Sequence, residues 1–270
     1  MKTDYDWEII KNFSGKDLNC FTFKDVVTEF PETDKFFLSK VLSAMVEKGM
    51  LIKLNRNLYH IVPSSEDSET YIPDWHLVAK YLMKGRKYYI GYYSAFQIHG
   101  LITQPSLKEI IVTDRQVIPS TRKIRGVEFQ FVTHKESRFF GFRNFWINQH
   151  EKVMVSDLEK TIVDAVSKTQ LCGGMVEIGK AIYETRTKVN LETMVSYFQK
   201  NESLVAIKRY LFICDLVNIE WTIHHERLLQ EIGSTFSLFD TTGPDQGTKN
   251  SKFRLKINID TETIKKSIFT

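Results

Sequence analysis

Lys35, Ser39, Lys40 and Ser43 fall on one side of a predicted helix over Lys35–Lys48. The other side is an apolar stripe of Phe37, Leu38, Val41, Leu42, Met45 and Val46. Ammonium groups meet phosphate oxygens and serine hydroxyls meet base edges, so this face has the chemistry to read duplex DNA. Lys53, Asn55 and Arg56 follow on a predicted hairpin and would add contacts there. The charge is local. Residues 35–62 carry five basic side chains against Glu47 alone, whereas residues 1–34 carry four lysines against eight carboxylates. The competing reading is an ordinary solvated helix face on a protein-binding domain.

Further basic residues cluster at 107–143, eight against four acidic ones, and at 246–270, six against two. Arg122, Lys123 and Arg125 sit in a predicted loop before a strand. They would grip a DNA backbone or an anionic partner surface, unless they are scattered solvated charge.

Other residue types invite a catalytic reading and are weaker for it. Asp157 stands where a helix begins, so its carboxylate is expected to accept free N–H groups as an N-cap. Glu159 and Asp164 lie about 500° apart around that helix and do not share a face. No histidine completes a metal set. A buried structural pairing, with an arginine as one option, fits the group better. His99 precedes Gly100 and is expected to bond a terminal carbonyl. His224 and His225 are adjacent and point to different faces. Cys172-Gly173-Gly174 lacks a nearby base and reads as a loop; without a following Gly-Lys-Ser/Thr it is no phosphate loop. Trp146, Trp221 and the Tyr88–Tyr93 cluster read as core. These residues predict no enzyme, no cofactor and no metal.

The elements that position the basic face are legible. Asp4–Phe13 is predicted as a first helix. Thr22 is an N-cap candidate, with Phe23, Val26, Val27 and Phe30 at helical spacing behind it. Pro31–Asp34 is turn chemistry, with Thr33 or Asp34 as the next cap. Gly49 ends the second of these helices, and two β-type runs, Met50–Leu54 and Asn57–Ile61, flank Asn55-Arg56. Helix, turn, helix and hairpin form the pattern of a winged helix-turn-helix. The polar stretch Pro63–Thr70 lacks apolar residues and predicts a linker. The expected division is therefore a winged helix at 1–62, a linker at 63–73 and a second domain at 74–270.

That second domain alternates helices and strands before a helical C-terminal region. Strands are predicted at Lys108–Thr113, Gly126–Val132, Lys152–Ser156 and Phe253–Ile259, with another at Phe142–Ile147. The fold class is α+β, a winged helix followed by a larger mixed α/β domain. The chain has 270 residues, 42% of them hydrophobic and 26% charged, enough for two moderate domains with real cores. A net charge of +4 is compatible with nucleic acid without being diagnostic. Three cysteines without a CxxC pair predict a reducing cytoplasm and no structural zinc. The acidic start, Met1–Asp6, predicts no signal peptide, and no apolar run reaches membrane-spanning length.

Three stretches after the winged-helix pattern resemble the AbiEi family, the antitoxins and autorepressors of AbiE abortive-infection, type IV toxin–antitoxin systems. Tyr89–Leu101 is similar to the family's "SAL…HGL" helix and is followed by the strand Ile110–Thr113. Val155–Asp164 resembles its "D.ERTLVD" step, with Lys160 where the family often has Arg. Asn250–Asn258 is similar to its closing strand. Arg56-Asn57-Leu58-Tyr59 likewise resembles its "RGLY" wing, with Asn57 in place of Gly. The resemblance implies a winged helix that binds inverted repeats in its own promoter as a transcriptional repressor. It also implies a C-terminal domain that counters a nucleotidyltransferase-like toxin without requiring a stable complex, in phage defence. Two other classes compete: a nucleic-acid-processing enzyme tethered to DNA, and a protein-interaction adaptor whose winged helix never touches DNA.

Overall fold

The computed structural model describes residues 5–102 and 106–269. Among them are eleven α-helices and twelve strands in three sheets, a mixed α+β fold. Asp4, the expected start of the first helix, and Met1–Thr3 lie outside the described residues. No helix among the described residues is long and apolar enough to cross a membrane.

The chain divides into two compact units. The first comprises Met1–Lys87 with Thr121–Phe129 and Phe145–Val153. It opens with α1 (Tyr5–Ser14), β1 (Cys20–Thr22), α2 (Phe23–Glu29), α3 (Lys35–Glu47) and the strands β2 (Leu51–Asn55) and β3 (Leu58–Ile61). The three strands form a sheet of order β1-β3-β2, antiparallel throughout.

Local chemistry explains each boundary. Thr22 and Asp25 close a reciprocal capping box at the start of α2: Thr22 Oγ1 accepts the Asp25 N–H and Asp25 Oδ2 accepts the Thr22 N–H. Asp34 caps α3 by accepting the Phe37 N–H at 2.9 Å. Gly49, at φ +72°, ends α3 with its N–H on Val46 O, and Met50 N–H reaches back to Met45 O, a Schellman closure. Ile9, Phe13, Phe21, Val26, Leu38, Leu42, Met45, Leu51, Tyr59 and Ile61 form one core, with Phe13 stacked on Phe21 at 4.2 Å.

The first unit runs past the expected boundary, and the physical reason is a set of partners. In α4 (Trp75–Leu82), capped by Asp74, Lys80 and Tyr81 both donate to buried Glu151 Oε1, at 3.0 and 2.9 Å. Just beyond it, Lys84 meets Asp25 at 2.6 Å, on the carboxylate that also caps α2. The stretch read as a free linker is held as well: Arg125 donates to the carbonyls of Ser68, Glu69 and Tyr71. The expected division at 63–73 into two contiguous domains is therefore corrected to an interrupted first unit.

The second unit comprises Tyr88–Ser120, Gln130–Asn144 and Met154–Thr270. A six-stranded sheet comprises β4 (Tyr88–Ile90), β5 (Lys108–Thr113), β6 (Thr121–Ile124), β7 (Val127–Thr133), β8 (Phe142–Trp146) and β9 (Lys152–Ser156), in the order β6-β7-β5-β4-β9-β8. β4 pairs antiparallel with β5, Ile90 facing Ile111, and parallel with β9, Ile90 facing Val155. The helices are α5 (Tyr92–Ile98), α6 (Leu158–Ser167), α7 (Met175–Thr185), α8 (Leu191–Asn201), α9 (Leu204–Leu216), α10 (Ile223–Glu231) and α11 (Thr261–Phe269).

α6 is the centre of this unit. Every residue from Lys160 to Val166 is buried, with α5, α7, α8 and α9 around it. A helix enclosed on all sides must pair its own charges, and it does: Lys160 Nζ lies 2.6 Å from Asp164 Oδ1. α9 is equally enclosed, and its buried Arg209 donates to Val166 O and Leu238 O. Burial lowers the Arg209 guanidinium to about 10. A third sheet places β12 (Leu255–Ile257) between β10 (Ser237–Leu238) and β11 (Thr248–Asn250). The expected strand from Phe253 is shorter, because residues 251–254 turn and Arg254 takes φ +53°.

Candidate nucleic-acid interface

The core face of α3 is set by Leu38, Leu42 and Met45, all fully buried. At 100° per residue Lys40 and Ser43 point away from that face and Ser39 lies on its flank, whereas Lys35, seven residues before Leu42, is on the core side and lies open as the first residue of the helix; all four are exposed. Among the described residues neither lysine is paired with a carboxylate. Ser43 Oγ donates to Ser39 O at 3.0 Å. Its one hydrogen is thus committed to its own helix, and what remains toward a ligand is an acceptor.

Sequence periodicity misplaced one residue and passed over its neighbour. Phe37, assigned to the apolar stripe, is 44% exposed and sets its ring edge-on to Tyr5 at 5.3 Å. Phe36, given no role, is 69% exposed beside these residues, with Lys40 Nζ 4.5 Å above its ring.

The β2–β3 hairpin carries the other candidates. Lys53, Asn55 and Arg56 are all exposed. The pairing register shifts between Lys53 and Asn55, just before the tip, while burial still alternates there, with Leu54 buried between exposed Lys53 and Asn55. Asn55 Oδ1 accepts the Arg56 N–H at 2.7 Å, which leaves the amide NH2 group to donate outward. Asn57 O accepts the Phe23 N–H at 3.0 Å, tying the tip to the start of α2. Asn57 has no positive φ, so this turn does not require a glycine there.

The third cluster is different from its expected form. Thr121–Ile124 is strand β6 rather than a loop, and Arg125-Gly126 is the turn into β7, at φ +50° and +85°. Two successive positive φ values are the mark of a tight primed hairpin turn. Lys123 is exposed, while Arg122 is half-buried and engaged within the protein. Arg125 is corrected from a DNA contact to a clamp: its guanidinium reaches Ser68 O at 2.5 Å, Glu69 O at 2.7 Å and Tyr71 O at 3.1 Å. The sequence signal was present in Arg125-Gly126 between two alternating runs. Its partners, more than fifty residues away, were not.

The residues that invited a catalytic reading have structural partners. Asp157 Oδ1 accepts the Lys160 N–H at 2.8 Å, the expected N-cap, and Oδ2 accepts from Tyr197 Oη at 2.9 Å. Burial raises the Asp157 carboxyl above its usual range. Glu159 accepts the Asn190 N–H. Asp164 is buried and paired, with Lys160 rather than an arginine. His99 donates from Nε2 to Ser156 O at 2.8 Å, on β9 instead of a helix end. His225 is buried and its Nδ1 lies 3.1 Å from the Thr222 backbone nitrogen at the start of α10. Cys172 is buried, and Gly173 and Gly174 take φ +76° and +84° leading into α7. Trp146, expected in the core, is 55% exposed beneath Lys152 Nζ at 4.1 Å. Among the described residues no three His, Cys, Asp or Glu side chains converge as a metal set.

A buried polar chain runs beside α6. Tyr89 Oη donates to Asp164 Oδ2 at 2.9 Å and lies 3.1 Å from His134 Nδ1. Tyr92 Oη lies 2.7 Å from His134 Nε2. Since the Tyr89 hydrogen goes to Asp164, His134 Nδ1 must carry the proton, and neutral Nε2 accepts from Tyr92. Burial holds the imidazole neutral, pushing it down to about 4. Tyr92 sits at φ +57°, a strained conformation for a bulky residue.

Neither a protein-family model nor a curated protein matches this sequence. Among solved structures, the chain is similar to the crystal structure of the RV2827C protein from Mycobacterium tuberculosis. The TM-score is 0.72 at 12% identity, over 97% of this chain and 94% of that one. A likeness at that identity is one of fold.

Proposed function

We propose that this chain is a DNA-binding autorepressor and antitoxin, in which residues 1–62 act as a winged helix-turn-helix. The observation that carries the DNA reading is the outward face of α3 continued by the hairpin tip. Lys35, Lys40, Lys53 and Arg56 are exposed there without carboxylate partners among the described residues. The order helix, strand, helix, helix, hairpin, with β3 between β1 and β2, supports it further. In a winged helix α3 enters the major groove and the hairpin lies on the phosphate backbone. Lys35, Lys40, Lys53, Arg56 and Lys123 then serve phosphates, while Ser39 and Ser43 meet base edges. Ser43, as an acceptor, suits the amino group of adenine or cytosine. No part of this reading uses an enzymatic step, a cofactor or a metal.

The antitoxin half rests on the resemblance of Tyr89–Leu101, Val155–Asp164 and Asn250–Asn258 to the AbiEi family. The partner this resemblance implies is a nucleotidyltransferase-like toxin, countered without requiring a stable complex; the sparse, unpaired cysteines suit a reducing cytoplasm.

The test is a gel-shift titration on the chain's own promoter across a range of salt. Lys40→Ala with Arg56→Ala is expected to weaken binding to all sequences and to lower the salt slope by about 1 for each phosphate left without its cation. Unchanged affinity in that double variant would remove α3 and the hairpin from the interface.

A further inference from the structure

We propose that Phe36 is a specificity-determining residue that packs on the C5-methyl group of thymine in the major groove. The inference rests on the DNA-binding reading above and adds to it the base that is read.

A single exposed apolar side chain is ordinary and by itself means little. Phe36 differs in its place. Phe36, Lys40, Ser43 and Glu47 stand at i, i+4, i+7 and i+11, so they form one line down α3, opposite Leu38, Leu42 and Met45. Phe36 is the first of that line, in the first turn after the Asp34 cap, and is 69% exposed. Glu47 ends the line with an exposed carboxylate, which repels phosphate from the last turn. Contact with DNA is thereby confined to the first turns of α3, the part of a recognition helix that reaches base edges.

Lys40 Nζ lies 4.5 Å over one face of the Phe36 ring. A cation on one face limits the ring's freedom and leaves the rest of it outward. A ring so placed offers no hydrogen bond, so it cannot read a donor or acceptor. Among the groups on a major-groove edge, the thymine methyl is the apolar one, and Phe is among the side chains that meet it. The lysine beside it supplies the charge complementarity to the flanking phosphates.

The experiment uses the full chain and duplex DNA of its own promoter, made with thymine or with uracil throughout. Uracil removes the methyl and leaves pairing and backbone unchanged. The parent protein is expected to bind the uracil duplex roughly four-fold more weakly for each thymine contacted, the factor for one methyl group withdrawn from water. Phe36→Ala is expected to bind the two duplexes alike, with circular dichroism matching the parent because the side chain is exposed. A parent indifferent to uracil, or a Phe36→Ala protein that keeps the preference, overturns the inference while leaving DNA binding intact. A parent that binds neither duplex overturns the DNA reading and this inference with it. Sedimentation supplies the last arm: Phe36→Ala turning a dimer into a monomer would assign the ring to a second copy of the chain and overturn the thymine contact.

Discussion

Lys160 and Asp164 face each other at 2.6 Å, one turn apart on α6, with both side chains out of solvent. Lys160 Nζ also lies 4.5 Å over the Phe140 ring, and Asp164 takes the Tyr89 hydroxyl on its second oxygen. The pair is thus satisfied on several sides, which is what allows two charges inside a core.

Removing one partner strands the other. Lys160→Met is expected to destabilise the protein by about 3–5 kcal/mol in urea unfolding, because Asp164 is left as an uncompensated buried charge. Lys160→Met combined with Asp164→Leu should cost less than Lys160→Met alone. If the double variant is the less stable of the two, the two charges do not act as a unit.

His134 makes stability depend on pH with a definite sign. Its folded-state value, about 4, lies below the ordinary 6.5 because burial disfavours the imidazolium. Between those values the unfolded chain binds a proton that the folded protein does not, so this contribution is present above about pH 6.5 and is lost as pH falls toward 4. The expected loss from this residue between pH 7 and pH 5 is about 2 kcal/mol. The difference in unfolding free energy between the two pH values, compared for the parent and His134→Gln, isolates it. A variant with the parent's full pH dependence would locate the effect in other histidines.

Arg125 distinguishes a clamp from a DNA contact. Arg125→Ala is expected to speed proteolytic cutting within Ser64–Tyr71, since three carbonyls lose their donor. Promoter affinity and its salt slope should stay as in the parent. Unchanged cutting together with a lower salt slope would return Arg125 to the proposed DNA contacts.

The sequence by itself determined what is local. Thr22, Asp34 and Asp157 cap helices in the structure as their types and positions imply, because a cap bonds backbone only two or three residues away. The stripe Leu38, Leu42 and Met45 is buried because helical periodicity fixes which residues share a face. The outward exposure of Lys40 and Ser43 follows from the same geometry, whereas Lys35 shares the side of Leu42 and is exposed as the first residue of the helix.

Tertiary structure alone decided the rest. Phe36 and Phe37 are adjacent and alike in type, yet neither lies in the core; spacing puts Phe36 in line with Lys40, and only the packing of α3 shows that its ring is left exposed under the Lys40 ammonium. Arg125 looked free because its acceptors at Ser68, Glu69 and Tyr71 lie more than fifty residues back along the chain. Glu151, buried against Lys80 and Tyr81, joins a late strand end to the first unit in the same way. Charge and periodicity describe a residue's near neighbours. They carry no record of which distant donor or acceptor the fold brings to it, and that partner decides whether a charged side chain is a clamp, a core pair or a surface open to DNA.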